Sequence, residues 1–111
     1  MQHLSAPELA AWLADPARPR PLLLDVREPW EVATAAMPGI TPIPMNQIPG
    51  RLDEISSAAA PAGAVVAICH HGARSMQVAL FLESRGVGPL HNLTGGISAW
   101  SVQVDPSVPQ Y

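Results

Sequence analysis

The chain of 111 residues contains no lysine, and its 6 arginines are outnumbered by 9 acidic residues, giving a formal net charge of −3. It has no basic cluster or stripe, so nucleic-acid binding has no electrostatic footing. A small anionic ligand is not excluded, because backbone dipoles act locally and override a weakly negative total. Cysteine occurs once, at position 69. An intramolecular disulfide is therefore impossible, and the lone thiol is either inert core or reactive. Long apolar runs are also missing: none approaches the roughly 20 residues needed to span a bilayer. Residues 1–14 lack the charged start, apolar core and cleavage site of a signal peptide, and Pro7 and Glu8 interrupt them. These absences predict a cytoplasmic protein with neither membrane nor nucleic acid as partner. Without repeats or linkers, one domain over residues 1–111 is expected.

Proline, by contrast, is abundant, with 13 copies, and 48% of the residues are hydrophobic. The prolines cluster at 16–21, 38–49 and 106–109 and mark connections. Ser5-Ala6-Pro7-Glu8 is a helix start with a capping-box pattern, and Asp15-Pro16 closes that helix. Residues 22–26 form a short apolar run that predicts a buried strand. Residues 28–36 predict a short helix and 41–45 an edge strand, since Pro42 and Pro44 cannot donate to a ladder. A helix is expected over 52–60, ending before Pro61. Residues 64–68 give the clearest strand, and 75–85 the clearest helix, with Met76, Ala79, Leu80 and Glu83 on one face. Residues 87–93 predict a last strand, and Gly95-Gly96 leads into a helix through Trp100. Alternating helices and doubly buried strands predict a three-layer α/β/α domain with a mostly parallel sheet. Ligands in such sheets bind beyond the carboxyl ends of the strands, where Cys69 stands.

Cys69-His70-His71-Gly72-Ala73-Arg74 joins the clearest strand to the clearest helix. A loop curling around Cys69 would converge its amide N–H groups on the sulfur, and the helix dipole adds about half a positive charge there. Both effects favour the thiolate, because cationic and helix-start settings pull a free thiol below its usual pKa near ~8.5. Gly72 and Ala73 are expected to contribute backbone N–H groups, and Ser75 a cap or a further donor. Three adjacent residues, Cys69, His70 and His71, are poorly spaced for one tetrahedral metal site. The two histidines are instead expected at the pocket mouth. Arg74 is expected to bind an anionic donor or to brace the loop. Asp25, Arg27 and Glu28, at the end of another strand, would pair with Arg74 or hold the loop. Trp12, Trp30 and Trp100 read as packing anchors, and His3 and His91 as structural.

Strand, Cys, four residues, Arg, Ser and helix resemble the active-site loop of the rhodanese family. Leu23-Leu24-Asp25-Val26-Arg27-Glu28-Pro29-Trp30-Glu31 is similar to that family's first signature, Met37-Pro38-Gly39-Ile40 to its second, and Leu93-Thr94-Gly95-Gly96-Ile97-Ser98-Ala99-Trp100 to its C-terminal one. The resemblance implies a sulfurtransferase: Cys69 takes a sulfur from thiosulfate or a persulfide, holds it as a persulfide, and yields it to cyanide, a thiol or an acceptor protein. It implies no metal, nucleotide or flavin cofactor. A sulfur-relay or regulatory interaction module with little small-molecule turnover is the alternative. A cysteine-dependent phosphatase is disfavoured, because its loop is one residue longer and roomier for a tetrahedral phosphate.

Overall fold

A computed structural model describes all 111 residues. Five strands form one parallel sheet: β1 (Gln2–Leu4), β2 (Leu22–Asp25), β3 (Thr41–Pro42), β4 (Val65–Ile68) and β5 (Leu90–Leu93), in spatial order β1-β5-β4-β2-β3. Five helices connect them: α1 (Ala6–Ala14), α2 (Pro29–Thr34), α3 (Leu52–Ala62), α4 (Ala73–Ser84) and α5 (Gly96–Gln103), with two 3₁₀ turns at Met45–Gln47 and Pro49–Arg51. This is the α/β architecture expected from the alternation of elements.

The strands are apolar on both faces because helices cover both. Side chains alternate along β4: Val65 and Ala67 pack with Ile55 and Ala59 of α3 and Val78, Ala79 and Leu82 of α4. Val66 and Ile68 pack instead with Leu9 and Trp12 of α1 and Ile97 and Trp100 of α5. Cys69 continues the first set, on the α3–α4 side. The period of two therefore decides which layer the sulfur joins.

Several expectations need correction. The chain opens with a strand, β1, which pairs with β5 through Gln2–His91, His3–Asn92 and Leu4–Leu93. Three residues directly before a helix cap carry no readable alternation. The strand of 41–45 shrinks to two residues at the sheet edge. The last strand begins only at Leu90, after Gly88-Pro89. Helix α3 runs through Pro61, because that proline sits in its exposed last turn and forgoes a single bond there; Gly63 closes the helix by donating to the Ala59 carbonyl. Helix α4 starts at Ala73, two residues early, with Gly72 as its cap. Its buried face is Ser75, Val78, Ala79 and Leu82, whereas Met76 and Leu80 are exposed. Ser75 is polar, so reading apolar residues alone rotated the helix. The N-terminus of α1 is as read: Ser5 Oγ accepts from Glu8 N–H, and Glu8 Oε1 accepts from Ser5 N–H.

Candidate active site

Strand β4 delivers Cys69 to the carboxyl edge of the sheet, and the chain turns within 70–72 to enter α4. Gly72 makes the turn at φ +108°, a left-handed angle that a side chain would resist. The turn brings Gly72 N–H to 3.0 Å from Cys69 Sγ. Ser75, one turn into α4, places its hydroxyl 3.3 Å from the same sulfur. The expected convergence of several amides is thus reduced to one amide and one hydroxyl. Cys69 is only 1% exposed, so the sulfur sits at the floor of the loop rather than on its rim.

The loop is held from two sides. Asn92 of β5 donates through Nδ2 to the Gly72 carbonyl at 3.1 Å and accepts from the Ser75 hydroxyl through Oδ1. Helix α5 donates its first amides to loop carbonyls: Ile97 N–H to Cys69 at 2.9 Å and Ser98 N–H to His70 at 3.1 Å. Gly96 adopts φ +60°, and a Cβ there would strike the carbonyl oxygens of Cys69 and His70. Ala73 supplies the first turn of α4 and is exposed.

Arg74 is engaged with Glu31. Its Nη1 and Nη2 donate to Oε1 and Oε2 of Glu31 at 2.6 and 2.8 Å, a two-point pair linking α4 to α2. The Glu31 carboxylate also accepts from Tyr111 Oη at 2.7 Å and from Glu28 N–H at 3.0 Å. The Arg74 hydrogen bonds, with help from Tyr111 and Glu28 N–H and against the opposing effect of burial, hold the Glu31 carboxyl down at about 2. Glu31 in turn raises Arg74.

Asp25, Arg27 and Glu28 do not pair with Arg74. Asp25 and Arg27, both fully buried, bind each other at two points: Nε to Oδ1 at 2.9 Å and Nη2 to Oδ2 at 2.7 Å. Arg27 Nη1 then donates to the Glu31 carbonyl and to Tyr111 Oη, at 3.3 and 3.0 Å. This pair supports the α2 end of the site, and Glu28 contributes its backbone while its side chain is exposed.

His70 is half-buried, with its ring stacked on His71 at 3.9 Å and on Tyr111 at 4.0 Å. Burial first, then the charge of neighbouring His71, lowers its pKa below the usual imidazole value. His71 is exposed at the rim. Trp30 is no packing anchor: it is 63% exposed and stands edge-on to Tyr111. Trp12 and Trp100 are buried as expected, and His91 packs edge-on against Trp12. Glu31, Asn92 and Tyr111 were not singled out from the sequence. Asn92, polar within the run His91-Asn92-Leu93, offered a signal; Tyr111 offered none.

Residues 5–103 match the model of the rhodanese-like domain, and the chain belongs to that family. It is 38% identical over its whole length to the rhodanese-like/PpiC domain-containing protein 12, chloroplastic, of Arabidopsis thaliana, but spans only 38% of that protein's length. The chloroplastic name lends no support to the cytoplasmic expectation. A sulfurtransferase of Allochromatium vinosum is 41% identical over 80 residues, which are 72% of this chain and 71% of that one. Among solved structures, a rhodanese-like domain protein of Staphylococcus aureus superposes with TM-score 0.78 at 30% identity, over 90% of this chain and 91% of that one. The human single-domain sulfurtransferase TSTD1 superposes with TM-score 0.77 at 26% identity, over 93% and 97%.

Proposed function

We propose that this chain, acting as a single domain, is a sulfurtransferase that carries a sulfane sulfur on Cys69. The observation that carries the reading is the Gly72 N–H that donates to the only cysteine at the carboxyl end of the central strand, with the Ser75 hydroxyl, shared with Asn92, beside the same sulfur. An amide donor on the sulfur, with a hydroxyl able to turn toward it, favours negative charge there, both on the attacking thiolate and on the persulfide that replaces it. Membership in the rhodanese-like family and likeness to proteins named sulfurtransferases support the same chemistry.

The cycle has two displacements. Thiolate Cys69 attacks the outer sulfur of a donor, thiosulfate or a persulfide; the new Sγ–S bond forms as the donor's S–S or S–SO₃ bond breaks, and thiolate or sulfite leaves with the electron pair. A nucleophilic acceptor, whether cyanide, a thiol or a protein, then attacks the outer sulfur of the enzyme persulfide, and Cys69 departs as thiolate. Arg74, locked to Glu31, acts as the brace of the loop.

The test is turnover with a sulfane donor and cyanide, read as thiocyanate. The intact protein should accelerate thiocyanate formation above the protein-free rate, and Cys69→Ser should return it to that rate. Equal turnover by the two proteins would remove Cys69 from the chemistry.

A further inference from the structure

Two ion pairs stand at the α2 side of the reactive loop, and one hydroxyl joins them. Asp25 and Arg27 form the inner pair, both fully buried; Glu31 and Arg74 form the outer one, with Arg74 partly exposed. Tyr111 links the two. Arg27 Nη1 donates to Tyr111 Oη at 3.0 Å, so the phenol's single proton is left for Glu31, whose Oε2 accepts it at 2.7 Å. The same Oε2 accepts from Arg74 Nη2 at 2.8 Å. The ring is held as well: it stacks on His70, 4.0 Å away and 9° from parallel, and meets Trp30 edge-on at 5.8 Å. The segment that delivers it is pinned at Val108, which is buried and whose carbonyl accepts from the Ser101 hydroxyl of α5. Tyr111 lies beyond residues 5–103, the span that matches the family model, so family membership gives it no role.

We propose that Tyr111 is a positioning residue for sulfur transfer: its hydroxyl ties the Glu31–Arg74 pair to the buried Asp25–Arg27 pair and so fixes the start of α4 against Cys69. The inference rests on the sulfurtransferase reading and adds a residue to it. Arg74 is the second residue of α4 and stands in the chain between Gly72 and Ser75, the two residues that touch the sulfur. Its carboxylate partner sits on a helix of only six residues, a weak anchor by itself. The phenol passes on the rigidity of the inner pair. Asp25 holds Arg27 at two points, Arg27 fixes the phenol oxygen, the phenol fixes Glu31, and Glu31 holds Arg74 at two points. Charge alternates along this series, so each link polarises the next in the favourable sense. The effect of Tyr111 on the sulfur runs through Arg74.

Tyr111→Phe keeps the ring and removes the hydroxyl. The rate of sulfur loading onto Cys69 from cysteine persulfide, followed by intact mass, should fall about fivefold in Tyr111→Phe, and by less than about twofold when the same change is made in Arg74→Ala, where the outer pair is already gone. A merely structural role would slow both backgrounds alike; that result, or an unchanged rate in Tyr111→Phe, would overturn the proposal. A second measurement needs no turnover. Tyr111 is the only tyrosine, so the ultraviolet absorbance of phenolate reports its titration alone. Arg27 and Glu31 face the hydroxyl, with His70 against the ring and Arg74 beyond Glu31. Burial raises the phenol first, the Arg27 bond lowers it and the Glu31 bond raises it. In Glu31→Gln, with circular dichroism confirming the fold, the phenol should therefore titrate at lower pH than in the unaltered protein. A midpoint that stays or rises would show that the hydroxyl does not serve Glu31 and would overturn the proposal. Either measurement decides alone if the variant used in the other folds poorly. An unaltered protein that gains no sulfur would overturn the sulfurtransferase reading itself, a result distinct from loading that ignores Tyr111.

Discussion

At the scale of single residues, the sulfur's environment rests on Ser75. Its hydroxyl has one proton and two acceptors within reach, Cys69 Sγ and Asn92 Oδ1, and all three residues are buried. Ser75→Ala removes the proton that the sulfur and the Asn92 oxygen share, and leaves that buried oxygen without a partner. Hydrogen bonds to charged groups contribute about 1.5–3 kcal/mol, so turnover should fall about tenfold or more. Stability should drop by about 1–3 kcal/mol, the cost of an unsatisfied buried acceptor, measurable by denaturant unfolding. Unchanged turnover in a folded Ser75→Ala protein would show that the hydroxyl does not hold the sulfur. Asp25 and Arg27 illustrate a different residue-level rule. Removing one partner of a fully buried pair strands the other charge, so their contribution lies in fixing the α2 entry to the site, not in net stability.

At the scale of elements, the site is a loop clamped between β5 and α5. Gly96 is the tightest point of that clamp, with φ +60° and two carbonyl oxygens where a Cβ would stand. Gly96→Ala should destabilise the fold by about 2–3 kcal/mol and displace the 69–70 carbonyls, lowering turnover together with stability. Full activity with unchanged unfolding would mean that the α5 start does not position the loop. The elements also show what a linear reading captures. The capping box of α1 and the apolar run of β4 are local, and so were legible. Cys69 and its loop were legible because a strand end, a glycine and a helix start lie within a few residues. The partners of the loop were not. Arg74 meets Glu31 across 43 positions, Ser75 meets Asn92 across 17, and Tyr111 meets Glu31 across 80. Strand order β5-β4-β2 creates these meetings, and side-chain spacing along the chain carries no trace of them. The buried face of α4 was misread for a related reason: its first buried residue, Ser75, faces a polar contact that only the folded site supplies.

At the scale of the whole molecule, the same partners set the dependence of stability on pH. Glu31 titrates at about 2 in the fold, below the usual glutamate value near ~4.3. Its stabilising contribution is fully present above that unfolded value and is lost as pH falls through about 2. His70 is lowered chiefly by burial, and His91 by burial and then by Arg18 and the N-terminus. The folded protein resists protonating them, so stability is fully present above the ordinary histidine value near ~6.5 and declines as pH falls below it. Unfolding measured across pH should therefore show a first loss of stability below about 6.5 and a second below about 4.3. Glu31→Gln should abolish most of the second step, and an unchanged second step would assign it to other carboxylates. No helix is long and apolar enough to cross a membrane, and the five strands are enclosed by helices on both faces. The whole fold thus converges on one sulfur at the end of its central strand. The most direct measurement is the intact mass of the protein after brief exposure to cysteine persulfide and removal of excess donor. The account predicts a gain of one sulfur atom that an added thiol removes and that Cys69→Ser never acquires. A wild-type mass that stays unmodified, or a gain that persists in Cys69→Ser, would contradict it.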